Sequence, residues 1–254
     1  MKLFDAHTHI QDCRLIGFQD ELVQRSLDAG VEKIMCCGTH EGDWDAVLDM
    51  EKRYQPVLVS VGIHPWFVKN RSSDWLDRLE KIIKNSSACV GEIGLDRLIS
   101  GRDDADQEAV FVEQLKLAHK YKRSVSIHCR KAWGVMPDLI RENGGLPFGG
   151  IVHSWSGSVD MVRVFEKMGA YISFSGSITR ENSKKTHMAC RAVSRDRLLI
   201  ETDSPDIIPA GIDSKLNEPA FLTEILKKVA RLRGEKEEDV AAYTYENALS
   251  LMAS

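Results

Sequence analysis

Eight short apolar, β-branched runs recur along the chain, separated by segments with helical periodicity. The runs are KLFDAHTH (2–9), KIMCCGT (33–39), VLVSVGIH (57–64), CVGEIGL (89–95), SVSIHC (124–129), GGIVHSW (149–155), AYISFSG (170–176) and LLIETDS (198–204). Most have the length of a buried strand and carry turn signals at their ends. Between them, FQDELVQRSLDAG (18–30) sets Leu22, Val23, Leu27 and Ala29 at helical spacing and stops at a glycine. DQEAVFVEQLKLAHKYK (106–122) repeats the pattern with Val110, Phe111, Leu115 and Ala118, and EPAFLTEILKKVARLRG (218–234) predicts another long helix. This alternation predicts an α/β fold, a single (β/α)8 TIM barrel forming one domain over 1–254. An open doubly wound sheet would show a glycine-rich phosphate turn after its first strand. Here HTHIQDC follows, without glycine.

A chain of 254 residues buries a large core and needs no disulfide staples. Its net charge of −4 argues against a broad nucleic-acid coat but leaves room for a basic lining around one cleft. The six cysteines contain no C-x-x-C pair, so neither a zinc ribbon nor a redox motif is expected. No signal peptide is evident, and no apolar run approaches the roughly 18 residues of a membrane span. A cytoplasmic protein with reduced thiols is expected, with no membrane association and no obligate protein partner evident.

Barrel active sites lie at the C-terminal ends of the strands. Five of the eight histidines fall there: His7, His9, His64, His128 and His153. Glu92 in the fourth strand and Asp203 at the end of the eighth join them. His7 and His9 have period two, which places both imidazoles on one face of a strand, where two ring nitrogens can meet a divalent ion. A buried Glu92 or Asp203 must be paired or bound to a cation. His7, His9, His128, His153, Glu92 and Asp203 make six candidate ligands, the number expected for two metals sharing a carboxylate. Such a pair suits a phosphodiester anion. Asp5 shares the period of the histidines and is either an orienting partner of an imidazole or a structural acid. Glu201, two residues before Asp203, is either such a partner or part of an ion pair within the barrel.

In order along the chain, FDAHTH, GIHP, GEIGLD, IHCR, HSWSGS and ETDSP closely resemble the TatD-type metal-dependent hydrolases and deoxyribonucleases of the amidohydrolase superfamily. NEPA and the helix pattern Gln107, Phe111, Gln114 also fit. The resemblance implies one metal among His7, His9, Glu92 and Asp203 and a second among Glu92, His128 and His153. It implies catalytic roles for Glu92, which bridges, and Asp203, which acts on the attacking water. His64 would face the substrate phosphate, with Arg130 adding a charge-assisted contact. The cofactors implied are two divalent ions, Mg, Mn or Zn. Arg97 after GLD, Trp66 after GIHP and the chain end depart from the family pattern, and Arg97 and Trp66 are expected on the rim.

The leading expectation is a phosphodiesterase on DNA, an exonuclease-like deoxyribonuclease acting on single strands or ends. Lys122, Arg123, Arg130, Lys131, Arg180, Lys184, Lys185 and Arg191, with Trp133 and Trp155, are candidates for a basic, stacking lip. The alternative is a binuclear amidohydrolase acting on a small amide, lactone or nucleobase. A fourth strand without lysine weighs against it.

Overall fold

The structure, a computed structural model, describes residues 1–252. Eight parallel strands run in sequence order: β1 (Leu3–Thr8), β2 (Val31–Cys37), β3 (Val57–Val61), β4 (Cys89–Asp96), β5 (Val125–Arg130), β6 (Gly150–Val152), β7 (Ala170–Phe174) and β8 (Leu198–Ile200). The helices are α1 (Gln19–Asp28), α2 (Trp44–Arg53), α3 (Trp75–Asn85), α4 (Asp104–Tyr121), α5 (Met136–Glu142), α6 (Val159–Lys167), α7 (Lys184–Ala192), α8 (Leu222–Arg233) and α9 (Glu237–Met252). This is the expected (β/α)8 barrel. The seam between β1 and β8 is drawn together by loop backbone: Asp203 N donates to His7 O at 2.9 Å, and His9 N to Ser204 O at 2.7 Å.

Asp5 belongs to this seam. Its carboxylate accepts the Thr202 backbone N–H at 2.8 Å and the Thr202 hydroxyl. Of its two expected roles, the structural one is what these contacts describe. Burial pushes its pKa up to about 8, against the pull of the two Thr202 hydrogen bonds.

The larger apolar cluster lies between strands and helices. A second joins Phe4, Met35, Ile151, Tyr171 and Leu199 to Ala248 and Leu251 of α9. The end of α9 thus closes the barrel where its strands begin, and the opposite end stays open for polar groups. The tight fit of β4 brings Glu92 to the middle of that open end. A Cβ on Gly91 would stand 2.6 Å from Ser60 Oγ, and one on Gly94, at φ +146°, would stand 2.0 Å from His128 O.

Several strands end earlier than their apolar runs. β3, β6 and β8 stop before His64, His153 and Asp203. Past the ladder the backbone turns across the barrel mouth: Ser154 has φ +43° and Asp203 +58°. Asp tolerates this left-handed region better than most residues. The third predicted helix also shortens: a 3-10 turn, Pro219–Phe221, precedes α8. Among the described residues no helix is long and apolar enough to cross a membrane.

Candidate metal centre

Glu92 is 2% exposed, and five imidazoles surround it. Its Oε2 lies 3.3 Å from His7 Nε2 and 3.4 Å from His9 Nε2. Its Oε1 lies 2.8 Å from His153 Nε2, 2.9 Å from His128 Nδ1 and 3.2 Å from His64 Nε2. Asp203 Oδ1 stands 3.6 Å from His9 Nε2 and 3.9 Å from His7 Nε2. All six expected ligand residues therefore meet at one end of the barrel, and His64 meets them.

A tetrahedral ion with bonds of about 2.1 Å keeps its donors about 3.4 Å apart. The 3.3 and 3.4 Å from Glu92 Oε2 to the His7 and His9 rings match that, and Oε1 lies closer to the His153 and His128 rings. The groups His7–His9–Glu92 and His7–His153–Asp203 each bring three donor atoms within 4.8 Å of one another. The residues fit a divalent metal.

The hydrogen bonds behind each ring decide which nitrogen carries the proton, and so which histidines can ligate. His9 Nδ1 donates to the Cys37 carbonyl at 2.7 Å, leaving the Nε2 lone pair toward Glu92 and Asp203. His153 Nδ1 faces the Glu201 carboxylate at 3.5 Å, again freeing Nε2. Glu201 Oε1 accepts the Ser154 backbone N–H at 2.5 Å, so its contact with His153 is the ion pair within the barrel. His128 turns the other way: Nε2 faces Asp96 Oδ2 at 3.3 Å, and Nδ1 looks at Glu92. His7 Nδ1 pairs with Ser126 Oγ at 2.8 Å. His64 is the exception. Its Nδ1 accepts the Trp66 backbone N–H at 3.1 Å, so the neutral ring carries its proton on Nε2. That nitrogen donates and is a poor ligand.

Electrostatics follow the same map. Burial works to raise Glu92, but His64, His153 and His128 outweigh it and hold the carboxyl well below its ordinary range. Burial also opposes ionisation of Asp203, and His9, His153 and His7 hold it down at about 2. Burial disfavours a charged His9, yet Asp203 and Glu92 raise it well above 6.5; Glu92 and Glu201 do the same for His153. Burial lowers His64 to about 4, so it stays neutral at pH 7.

A family model described as TatD related DNase matches residues 4–253. The chain belongs to that family. It is 30% identical over 255 residues to the uncharacterized metal-dependent hydrolase YabD of Bacillus subtilis, covering 98% of each chain. It is 28% identical over 259 residues to the 3'-5' ssDNA/RNA exonuclease TatD of Shigella flexneri, again covering 98% of each. The crystal structure of YjjV, a TatD homologue from Escherichia coli K12, superposes with a TM-score of 0.95 at 29% identity, covering 99% of this chain and 98% of that one. This TatD-family barrel is a metal-dependent hydrolase.

Asp96 is a site residue of this TatD-family chain that the sequence reading did not single out. It holds His128, and it lies at period two from Glu92 through Gly94, a signal present in GEIGLD. Two buried glutamines of α4 steady the neighbourhood. Gln114 accepts from Ile63 N at 2.6 Å and donates to Ile63 O at 3.2 Å, beside His64. Gln107 clasps the Asp96 backbone in the same way. Asn217 of NEPA donates to Thr202 O at 2.8 Å and Asp206 O at 2.7 Å, bracing the Asp203 loop. Gln11 is committed inward: it donates to Cys37 O at 2.8 Å and accepts from Cys36 Sγ.

The expected basic lip is smaller than the sequence suggested. Lys122 caps α4 and Arg123 donates to Ser86 O, both at the end where strands begin, away from the site. Arg191 is spent on Leu232 O at 3.0 Å. Arg97 pairs with Asp104 at 2.7 Å and with Glu108, fastening the loop to α4 instead of facing the rim. Arg130, Lys131, Arg180, Lys184 and Lys185 remain exposed. Trp155 is core, 1% exposed, and Trp133 packs on it with ring centroids 4.6 Å apart.

Freed of metal, the protein should lose stability as pH rises above neutrality. His9 and His153 have folded pKa values above the unfolded 6.5, so their stabilisation is complete below 6.5 and is lost as pH climbs through the raised values. Asp5, raised to about 8, keeps its proton longer than the unfolded chain does and acts in the same direction. Thermal melts in chelator at pH 6.5 and 8.5 should show a lower Tm at the higher pH. Bound metal displaces the imidazole protons, so the loaded protein should show a smaller fall. A chelated Tm that rises over this interval contradicts the charge assignment.

Proposed function

We propose that this chain is a divalent-metal-dependent phosphodiesterase that shortens single-stranded DNA or DNA ends. The observation that carries this reading is Glu92, whose two oxygens face separate sets of ring nitrogens. A carboxylate so placed suits two ions: one with His7, His9, Glu92 and Asp203, the other with Glu92, His128 and His153. Bound there, Mg, Mn or Zn supplies Lewis acidity and lowers the pKa of water. Asp203, an ionised carboxylate at neutral pH, orients the attacking water and accepts its proton. His64 donates from Nε2 to a phosphoryl oxygen. Arg130, exposed at the end of β5 with no acidic partner among the described residues, adds a charge-assisted contact.

The name of the Shigella flexneri relative, an ssDNA/RNA exonuclease, supports a nucleic-acid substrate. The sequence of β4, CVGEIGLD, has no lysine to bridge metals as a carbamate, which weighs against amide or lactone hydrolysis. Six free thiols support a cytoplasmic location.

Purified protein supplied with Mg²⁺, Mn²⁺ or Zn²⁺ should shorten single-stranded DNA faster than blunt duplex, and chelator should stop it. Turnover of small amides or lactones without DNA cleavage would overturn the reading.

A further inference from the structure

Trp66 has an unusual combination of exposure and anchorage. Its side chain is 56% exposed, yet its indole N–H donates to Asp96 Oδ2 at 2.8 Å, and Asp96 is 1% exposed. The other tryptophans, Trp44, Trp75, Trp133 and Trp155, are buried or half-buried. An aromatic face left in water costs free energy unless something covers it. The anchor removes most of the ring's freedom before any ligand arrives, so a stacking partner loses little to side-chain ordering.

The neighbourhood says what kind of partner. The Trp66 ring centroid lies 5.0 Å from that of His64, at 89°. The backbone N–H of Trp66 is the same group that leaves the His64 proton on Nε2. Other exposed apolar side chains stand on the loops around the mouth: Ile16 and Phe18 after β1, Leu98 after β4, Val135 after β5. Arg130 and Lys131, exposed at and just past the end of β5, supply positive charge at the same end of the barrel. A flat apolar surface next to a phosphate donor and free cations matches a nucleotide, whose base and phosphate need those two environments.

We infer that Trp66 is the stacking platform for an unpaired base attached to the phosphate held at His64, and that Asp96 positions it. The inference rests on the phosphodiesterase reading and sharpens its substrate class. Inside a duplex both faces of a base are already stacked, so the platform accepts a single strand or a frayed end. Asp96 holds Trp66 and His128 through the same oxygen, Oδ2. The base platform and the metal centre are thereby braced on one side chain.

The test uses the whole metal-loaded protein, with Trp66→Ala and Trp66→Phe. The substrates are an oligothymidylate and an oligonucleotide of the same length whose terminal residues are abasic. Stacking on one aromatic ring is worth about tenfold in binding. Trp66→Ala should therefore raise KM on oligothymidylate about tenfold, with Trp66→Phe restoring most of it. The ratio between wild type and Trp66→Ala should collapse on the abasic strand. An equal ratio on both substrates would make Trp66 a structural prop and overturn the inference, as would an unchanged KM on oligothymidylate. Wild-type protein that cleaves neither strand would overturn the phosphodiesterase reading itself, a different result from either.

Discussion

Glu92→Gln should strip the protein of its bound metal and cut kcat/KM by at least about 1000-fold. Residues that merely orient a ligand cost about 10–100-fold in affinity or activity when lost, and Glu92 faces both donor sets at once. The carboxylate is held ionised among His64, His153 and His128 despite its burial. Gln keeps the shape but removes the charge and one acceptor. Two cations sharing that position would lose their common counter-charge together. Elemental analysis after dialysis, beside a steady-state assay on single-stranded DNA, checks this. Two ions per chain with a rate within tenfold of wild type would remove Glu92 as the shared ligand. Circular dichroism should show the barrel intact, because the shell between strands and helices does not include Glu92.

The second large effect belongs to Asp203→Asn. Loss of a positioned general base costs about 100- to 10,000-fold, and the expected fall is in kcat more than in KM. The amide occupies the same volume and can still sit 2.9 Å from the His7 carbonyl through its backbone N–H. It no longer accepts a proton, and it no longer holds His9 charged in the metal-free state. Single-turnover hydrolysis at saturating metal isolates the chemical step. An unchanged rate there would leave Asp203 with no part in activating water. A fall in metal content with a normal rate on the loaded fraction would make it a ligand only.

Much of the barrel was legible because parallel strands buried on both faces read as continuous apolar runs. The run LLIETDS shows where that logic fails. Its apolar part ends at Ile200, where β8 ends, but Thr202, Asp203 and Ser204 are also fully or largely buried, so burial alone extends the pattern past the ladder. The basic residues illustrate a second limit. Lys122 and Arg130 are close in sequence but lie at opposite ends of β5, and proximity along the chain hid that separation.

What the sequence determined by itself was the set of groups: alternating periodicities require a layered α/β barrel, and buried imidazoles and carboxylates at strand ends require one another or a cation. Residue type and spacing carry that information, because desolvation penalises such groups wherever they are left unpaired. The tertiary structure alone decided the hydrogen-bonding surroundings of each group. The Cys37 carbonyl behind His9 and the Trp66 amide behind His64 give two similar imidazoles opposite tautomers, one able to ligate and one able to donate. Asp5 and Asp96, both acids next to site motifs, go to the barrel seam and to His128 respectively. Those assignments depend on hydrogen-bond partners as far as 197 positions away, which no local pattern encodes.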